Sequence, residues 1–162
     1  MHYWTLLQLL GLLTIANGTP VLAKRIFGDR FSRPLDGNLK FIDGHPLFGT
    51  SKTIRGVLLS VVATSGCAPL VGLGATIGFV VAVTAMAGDL LSSFIKRRLA
   101  LAPSSQAIGL DQIPESLFPL LACRHDLALT DIDIAATVAL FFVGEIVLSR
   151  LLFKLRLRDR PY

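Results

Sequence analysis

The chain is poor in charged residues and in cysteine. Only 17% of its 162 residues are charged and 52% are hydrophobic, whereas a soluble domain has about 25% charged and about 45–50% apolar residues. This deficit predicts a membrane protein. The two cysteines, Cys67 and Cys123, belong to no CxxC or Cys/His pattern, so the sequence gives no support for thiol-based metal sites or cysteine nucleophiles. The sequence also has no soluble basic domain, so nucleic acid is excluded as a partner.

The apolar residues occur in long blocks, and these blocks predict an all-α polytopic membrane protein. Four of them, at 4–23, 54 to about 70, 72–95 and 132–153, approach the about 20 residues that cross about 30 Å of hydrocarbon. A fifth and weaker block at 113–129 is interrupted by charged residues. The first block has no basic segment before it, so we interpret it as a membrane span rather than a signal peptide.

The positions of the basic residues predict the topology. Basic clusters at 24–55, 96–98 and 154–160 fall on one face if the chain crosses the membrane five times. Because Lys and Arg are enriched in cytoplasmic segments, we expect about five transmembrane helices, with the N-terminus outside and the C-terminus inside. Residues 1–162 then form a single domain. Its long cytoplasmic loop at 24–53 is expected to fold onto the membrane surface or back into the bundle.

The segment GDLLSSFIKRR at 88–98 is the most informative part of the sequence. Asp89, Ser93 and Lys96 are spaced i, i+4 and i+7, so they share one face of a helix. An acid in or at a membrane span is costly and usually functional. Asp89, with Lys96 and Arg97 about two turns later, therefore suits the binding of a complex of a metal ion and phosphate. Asp111, on the same side, predicts a second Mg²⁺ ligand, although an aspartate there also suits a helix N-cap.

The long loop carries candidate phosphate-binding groups at its end. The backbone amides of segment 49–53, with Lys52 and Thr53 just before a helix, form a plausible phosphate cradle. A helix cap beside a snorkelling Lys52 and Arg55 explains the same residues equally well. The segment is not a P-loop, because no strand precedes it and its lysine does not follow the second glycine directly.

Two polar residues lie inside predicted spans. Asn17 is followed by Gly18 and Pro20, which predict a break in the first helix. Asn17 either caps that break or projects into a polar cavity. Glu145 lies in the middle of the last helix, and the sequence does not identify its partner.

Together, these segments resemble the CDP-archaeol synthase family, the CTP:archaeol-phosphate cytidylyltransferases, which is related to phosphatidate cytidylyltransferase. The resemblance covers nearly the whole chain and is carried by Asn17 with Pro20, segment 34–44, PLFGTSKTIRG at 46–56, segment 88–98 and GLDQ at 109–112. Residues 106–108 read Gln-Ala-Ile where the family has Ala-Pro. The Lys-Asp pair that follows Lys-Arg in the diacylglycerol enzymes is absent, which favours the archaeol-type branch.

The resemblance implies that CTP and a membrane lipid phosphate react to give a CDP-lipid and pyrophosphate in phospholipid biosynthesis. The active site would lie at the cytoplasmic face of the cell membrane. Asp89 and Asp111 are then expected to hold Mg²⁺, and Ser93 to orient a phosphate or the metal shell. Lys96 and Arg97 would contact the triphosphate.

The remaining substrate-binding assignments fall on the loop and on the first helix. They are Lys52, Thr53 and Arg55, to grip phosphate; Asp36, Lys40 and Asp43, to shape the loop or recognise the nucleotide; and Asn17. Two alternatives stay open: a CTP-dependent polyisoprenol kinase, and a small membrane transporter whose ion path uses Asp89 and Glu145. A homodimer also stays open as the oligomeric state.

Overall fold

The computed structural model describes residues 3–154, apart from the side chain of Leu152, and this part of the chain is helical with no β-strand. The helices are α1 (Tyr3–Phe27), α2 (Ile54–Cys67), a short 3₁₀ helix (Ala68–Val71), α3 (Ala75–Arg98), α4 (Gln112–Ala122) and α5 (Asp131–Lys154). Four segments, Tyr3–Phe27, Ile54–Val71, Ala75–Arg98 and Asp131–Leu151, are long and apolar enough to cross a membrane. The remaining helix, α4, has 11 residues and is about 17 Å long at about 1.5 Å per residue.

The outer surface of the bundle is apolar, as expected for helices that face lipid. Large side chains on every long helix point outward, among them Leu7, Leu58, Phe79, Val83 and Val143. The interior is a single buried cluster to which all five helices or their ends contribute: Leu9, Leu12, Leu13, Ala16, Ala68, Val81, Ala85, Leu120, Cys123, Leu129, Ile134 and Phe141. Both cysteines are free thiols.

The predicted break in the first helix is wrong, because α1 continues through Pro20. Proline has no N–H, so the carbonyl of Ala16 loses its helical partner. The Ser60 hydroxyl of α2 donates to this carbonyl at 2.7 Å, and both groups are buried. Gly56 allows the close approach, since a Cβ there would lie 3.2 Å from Pro20 Cβ. The proline therefore joins α1 to α2 without interrupting α1.

The contact between α3 and α4 brings the first turn of α4 beside Asp89. Gly88 is the point of closest approach, because a Cβ at this position would overlap the backbone of Pro114. The Ser92 hydroxyl donates to the carbonyl of Leu110, which fixes the segment before α4 to the same face of α3. The predicted end of the third helix at 95 is three residues short, since α3 extends to Arg98.

The long loop folds back onto the bundle, which is one of the two placements predicted. Asp36 organises it: the carboxylate accepts hydrogen bonds from the backbone N–H groups of Asn38 at 3.0 Å, Phe48 at 2.9 Å and Gly49 at 3.0 Å. Burial alone would raise the pKa of this carboxyl, but the three donors hold the pKa below its ordinary value of 3.8.

Arg98 attaches the loop to the end of α3. Its guanidinium pairs with Asp43 at 2.7 Å and donates to the carbonyl of Pro46 at 2.6 Å. It also lies over the rings of Phe41 and Phe94, at 4.9 Å and 4.6 Å from their centroids. Of the three consecutive basic residues at 96–98, this one is therefore used to hold the loop.

Candidate active site

A large polar cavity opens between the ends of α1 and α3, the start of α4 and the loop. Its volume is about 1050 Å³, at the upper end of the about 300–1,000 Å³ of ligand pockets. Charged side chains of both signs line it: Lys24, Arg25, Lys52, Arg55, Lys96 and Arg97, and Asp29, Asp89, Asp111, Glu115 and Glu145. The cavity therefore suits a ligand that itself carries charges of both signs.

Most of the residues predicted from the sequence meet in this cavity. Nine line it: Asn17, Lys52, Thr53, Arg55, Asp89, Ser93, Lys96, Arg97 and Asp111. The other three, Asp36, Lys40 and Asp43, lie in the described part of the loop but outside the cavity lining. Asp36 and Asp43 shape the loop through the bonds given above, and the Lys40 side chain is exposed.

Lys52 and Asp89 form an ion pair inside the cavity. The Lys52 ammonium contacts both carboxylate oxygens of Asp89, with Oδ1 at 2.6 Å. The two side chains are largely buried, with 22% and 18% of their surfaces exposed. Burial alone would lower the pKa of Lys52, but the charge of Asp89 raises the pKa above its ordinary value of 10.5. The ammonium is therefore charged at neutral pH.

A second pair, Lys96 with Asp111, lies about two turns further along α3. The Lys96 ammonium is 2.6 Å from Asp111 Oδ1 and also donates to the carbonyl of Ser105 at 3.0 Å. Asp111 precedes α4, yet its side chain makes no capping bond to the helix. Its other oxygen accepts the N–H of Ala107 at 2.8 Å, so the carboxylate orders the segment before α4 instead.

Arg97 has donors that the described part of the protein does not use. It is buried, with 4% of its surface exposed, and its Nη2 donates to the carbonyl of Ala102 at 3.0 Å. Within residues 3–154, Nε and Nη1 are buried and have no hydrogen-bond partner. Because a buried N–H without a partner is costly, this guanidinium is suited to an anionic ligand in the cavity.

Three other cavity residues are engaged in local structure. The Thr53 hydroxyl accepts the N–H of Gly56 at 3.1 Å, so Thr53 is the N-cap of α2. Arg55 donates to the carbonyls of Gly28 and Arg30, which ties α2 to the end of α1. The Asn17 amide donates to the carbonyl one turn back in α1 at 3.1 Å, so Asn17 reaches the cavity without capping a helix break.

Sequence reasoning missed Glu115 as a site residue. It is buried, with 7% of its surface exposed, and interacts with Asp89 across the contact between α3 and α4. The signal was present, because Asp111 and Glu115 are four residues apart and so share a face of a helix. Glu145, whose partner the sequence could not identify, also lines the cavity.

The donor chemistry of the cavity fits a magnesium ion, although the carboxylates are not gathered into a preformed site. Within residues 3–154, no group of three or more His, Cys, Asp or Glu side chains is arranged to hold a metal. Mg²⁺ does not require one, because it usually takes one or two protein carboxylates together with waters and substrate phosphates. Asp89 and Asp111 supply such carboxylates.

Comparison with known proteins identifies related chains. A family model described as CarS-like: CDP-archaeol synthase matches residues 6–162. The chain is 36% identical to a CDP-archaeol synthase of Pyrobaculum calidifontis over 153 residues, covering 91% of both chains. It is 32% identical over 154 residues to a CDP-archaeol synthase of Sulfurisphaera tokodaii, covering 91% of this chain and 89% of that one.

A solved structure of an intramembrane enzyme for archaeal membrane lipids biosynthesis has the same fold. It matches with a TM-score of 0.70 and 27% identity, over 85% of this chain and 90% of that chain. The family match includes every residue that lines the cavity.

Proposed function

Because the chain belongs to the CDP-archaeol synthase family and transfers a cytidylyl group from CTP to a lipid phosphate, we propose that the two substrates meet in the polar cavity. The observation that supports this most directly is buried Arg97, which lines the cavity and has two donors without a partner among the described residues. Archaeol phosphate is the acceptor that the family membership favours. Neither the kinase nor the transporter alternative draws support from these relatives.

The reaction requires alignment and charge neutralisation rather than a general base. The second pKa of a phosphate monoester is about 6, so the lipid phosphate is mostly dianionic at pH 7. One of its oxygens attacks the α-phosphorus of CTP, and the bond from that phosphorus to the bridging oxygen breaks. The leaving pyrophosphate takes the bonding electron pair. We assign to Lys52, Lys96 and Arg97, which line the cavity, the binding of the phosphates and their orientation for this displacement.

We further propose that Asp89 and Asp111 hold the divalent cation, Mg²⁺, with Ser93 orienting a phosphate or the metal shell. When bound, the ion neutralises charge on the triphosphate. Ser93 is buried, with 2% of its surface exposed, and is one turn of α3 beyond Asp89. Lys52 and Lys96, which pair with these two carboxylates, bring ammonium groups for phosphate binding next to the proposed metal site.

We propose five membrane crossings, with α4 and the segment after it as the fourth. Leu120 and Cys123, near the end of α4, belong to the same buried cluster as Val81 near the start of α3. This shared cluster supports a return of the chain through the bundle before α5 begins, as does Glu145 of α5, which lines the cavity. Because Lys and Arg are enriched in cytoplasmic segments, we expect the cavity on the cytoplasmic face and the N-terminus outside. The basic residues 156, 158 and 160 lie outside the described residues.

The test is turnover of radiolabelled CTP by the purified protein with Mg²⁺, offering unsaturated archaeol phosphate and phosphatidic acid in parallel. We expect a labelled CDP-lipid, release of pyrophosphate and preference for archaeol phosphate. A kinase would release CDP and form a lipid phosphate, and a transporter would consume no CTP, so either result would overturn the proposal.

A matched pair of variants tests the cavity itself. Asp89→Asn should abolish CDP-lipid formation while the protein is still produced and folded. Lys154→Gln removes a charge from the exposed end of α5, outside the cavity lining, and should leave turnover unchanged. Near-normal activity of Asp89→Asn would contradict the metal assignment.

A further inference from the structure

The carboxylate assigned to the metal already has a cation bound to it. The ammonium of Lys52 contacts both oxygens of Asp89, which is the way a chelated cation sits on a carboxylate. A divalent ion that uses the same oxygens has to displace this ammonium or share the carboxylate with it. In either case the ammonium weakens metal binding at Asp89, through competition for the oxygens or through repulsion between the two cations.

Displacing the ammonium is unfavourable unless Lys52 gains another anionic partner. Both side chains are largely buried, and a buried charge that loses its partner is strongly destabilising. The backbone of Lys52 is held on both sides, since its N–H donates to the carbonyl of Gly49 and its carbonyl accepts the N–H of Leu35. The movement has to come from the flexible four-carbon side chain.

The neighbouring pair is less suited to such an exchange. The Lys96 ammonium has a second partner, the carbonyl of Ser105 at 3.0 Å, which fixes its position independently of Asp111. Lys52 comes from the loop and is next to Thr50 and Ser51, which also line the cavity. A phosphate bound among these residues lies within reach of the Lys52 side chain.

We propose that Lys52 is an exchangeable counter-ion of Asp89, which it releases to the metal only when nucleotide phosphate takes over its ammonium. This rests on the proposed function, which places CTP and the metal in this cavity. Each charge keeps a partner through the exchange: Asp89 passes from ammonium to metal, and Lys52 passes from carboxylate to phosphate. The metal accordingly binds weakly in the absence of nucleotide, and bound nucleotide increases the affinity for the metal.

Two affinities are measured on the purified protein. Mn²⁺ binding is measured without nucleotide and without lipid, by electron paramagnetic resonance and calorimetry, and CTP binding is measured by calorimetry in a separate titration. Lys52→Gln should bind Mn²⁺ at least tenfold more tightly than the wild type, because the competing ammonium is gone. The same variant should bind CTP more weakly, since a phosphate donor is lost. Changes of opposite sign distinguish exchange from misfolding, which would weaken both.

Three controls complete the design. Lys154→Gln should change neither affinity, and Asp89→Asn should lose Mn²⁺ binding. Lys52→Arg retains the charge and should bind Mn²⁺ no more tightly than the wild type. Thermal unfolding of each variant establishes that it is folded.

The two proposals fail differently. If the wild type makes CDP-lipid but Lys52→Gln binds Mn²⁺ with the same affinity as the wild type, the counter-ion role is overturned and the proposed function stays intact. Absence of CTP binding and of CDP-lipid formation in the wild type would overturn both.

Discussion

Replacing Gly88 by alanine tests the contact that assembles the site. A Cβ at this position overlaps the backbone of Pro114 and lies 2.7 Å from the backbone nitrogen of Glu115. A backbone cannot move aside as the end of a side chain can, so α3 and α4 must separate. Removing a helical glycine stabilises a helix by about 0.5–1 kcal/mol, whereas overpacking costs about 1–3 kcal/mol.

The expected net loss is about 1–2 kcal/mol, which corresponds to a decrease of about 2–8 °C in the unfolding temperature of a chain of this size. Gly144→Ala is the matched control, because Gly144 is also in a long helix and a Cβ there meets nothing within 4 Å. It should be as stable as the wild type or slightly more so. Both variants are compared by thermal unfolding in detergent.

Activity should fall further than stability in Gly88→Ala. The contact holds Asp89 of α3 next to Glu115 of α4, and Asp111 immediately precedes α4. A separation of the helices changes the distances among these carboxylates, and misplacement by about 1 Å can cost about 10²-fold in rate. If Gly88→Ala unfolds at the wild-type temperature and forms CDP-lipid at the wild-type rate, the role of this contact is refuted.

Three further predictions concern the parts of the fold that support the cavity. Ser60→Ala removes the buried donor to the Ala16 carbonyl and should lower stability by about 1–3 kcal/mol, measured by thermal unfolding; an unchanged unfolding temperature would contradict this. Arg98→Ala should release the loop from α3, so limited proteolysis should cut within 28–53 faster while the helical circular dichroism is kept. Because the folded pKa of Asp36 is depressed, its stabilisation of the loop is complete above about pH 3.8 and lost as the pH falls through the folded pKa. The protection factors of the Phe48 and Gly49 amides, which correct for the intrinsic pH dependence of amide hydrogen exchange, should fall only in that acidic range, and constant protection factors there would contradict this.

Much of the site could be predicted because it depends on spacing within one helix. Asp89, Ser93 and Lys96 share a face in any regular helix, and all three line the cavity. Arg98, in contrast, appears in the sequence only as the last of three consecutive basic residues at 96–98. Its use in holding the loop depends on Asp43 and Phe41, which lie more than fifty residues away in the sequence, and no local pattern indicates such a contact.

The pairing of charges could not be predicted for the same reason. Lys52 and Asp89 are 37 residues apart, and the sequence offered Lys52 as a phosphate ligand or a snorkelling side chain with equal support. The break at Pro20 was predicted from local propensity alone. A hydroxyl from α2 supplies the missing hydrogen-bond partner, so tertiary structure overrides the local tendency of proline to interrupt a helix.

The mixture of charges in the cavity bears on which ligands it accepts. A cavity lined by cations alone would attract any polyphosphate, with or without a metal. Here six basic and five acidic side chains share the lining, and Lys52 and Lys96 are each paired with a carboxylate. A free polyanion would bind the lysines but leave Asp89 and Asp111 unpaired, and a free cation would do the reverse. A ligand that brings anionic phosphate and a divalent cation together gives every one of these groups a partner. If the proposed roles are correct, we therefore expect the cavity to bind the metal–nucleotide complex more tightly than either component alone.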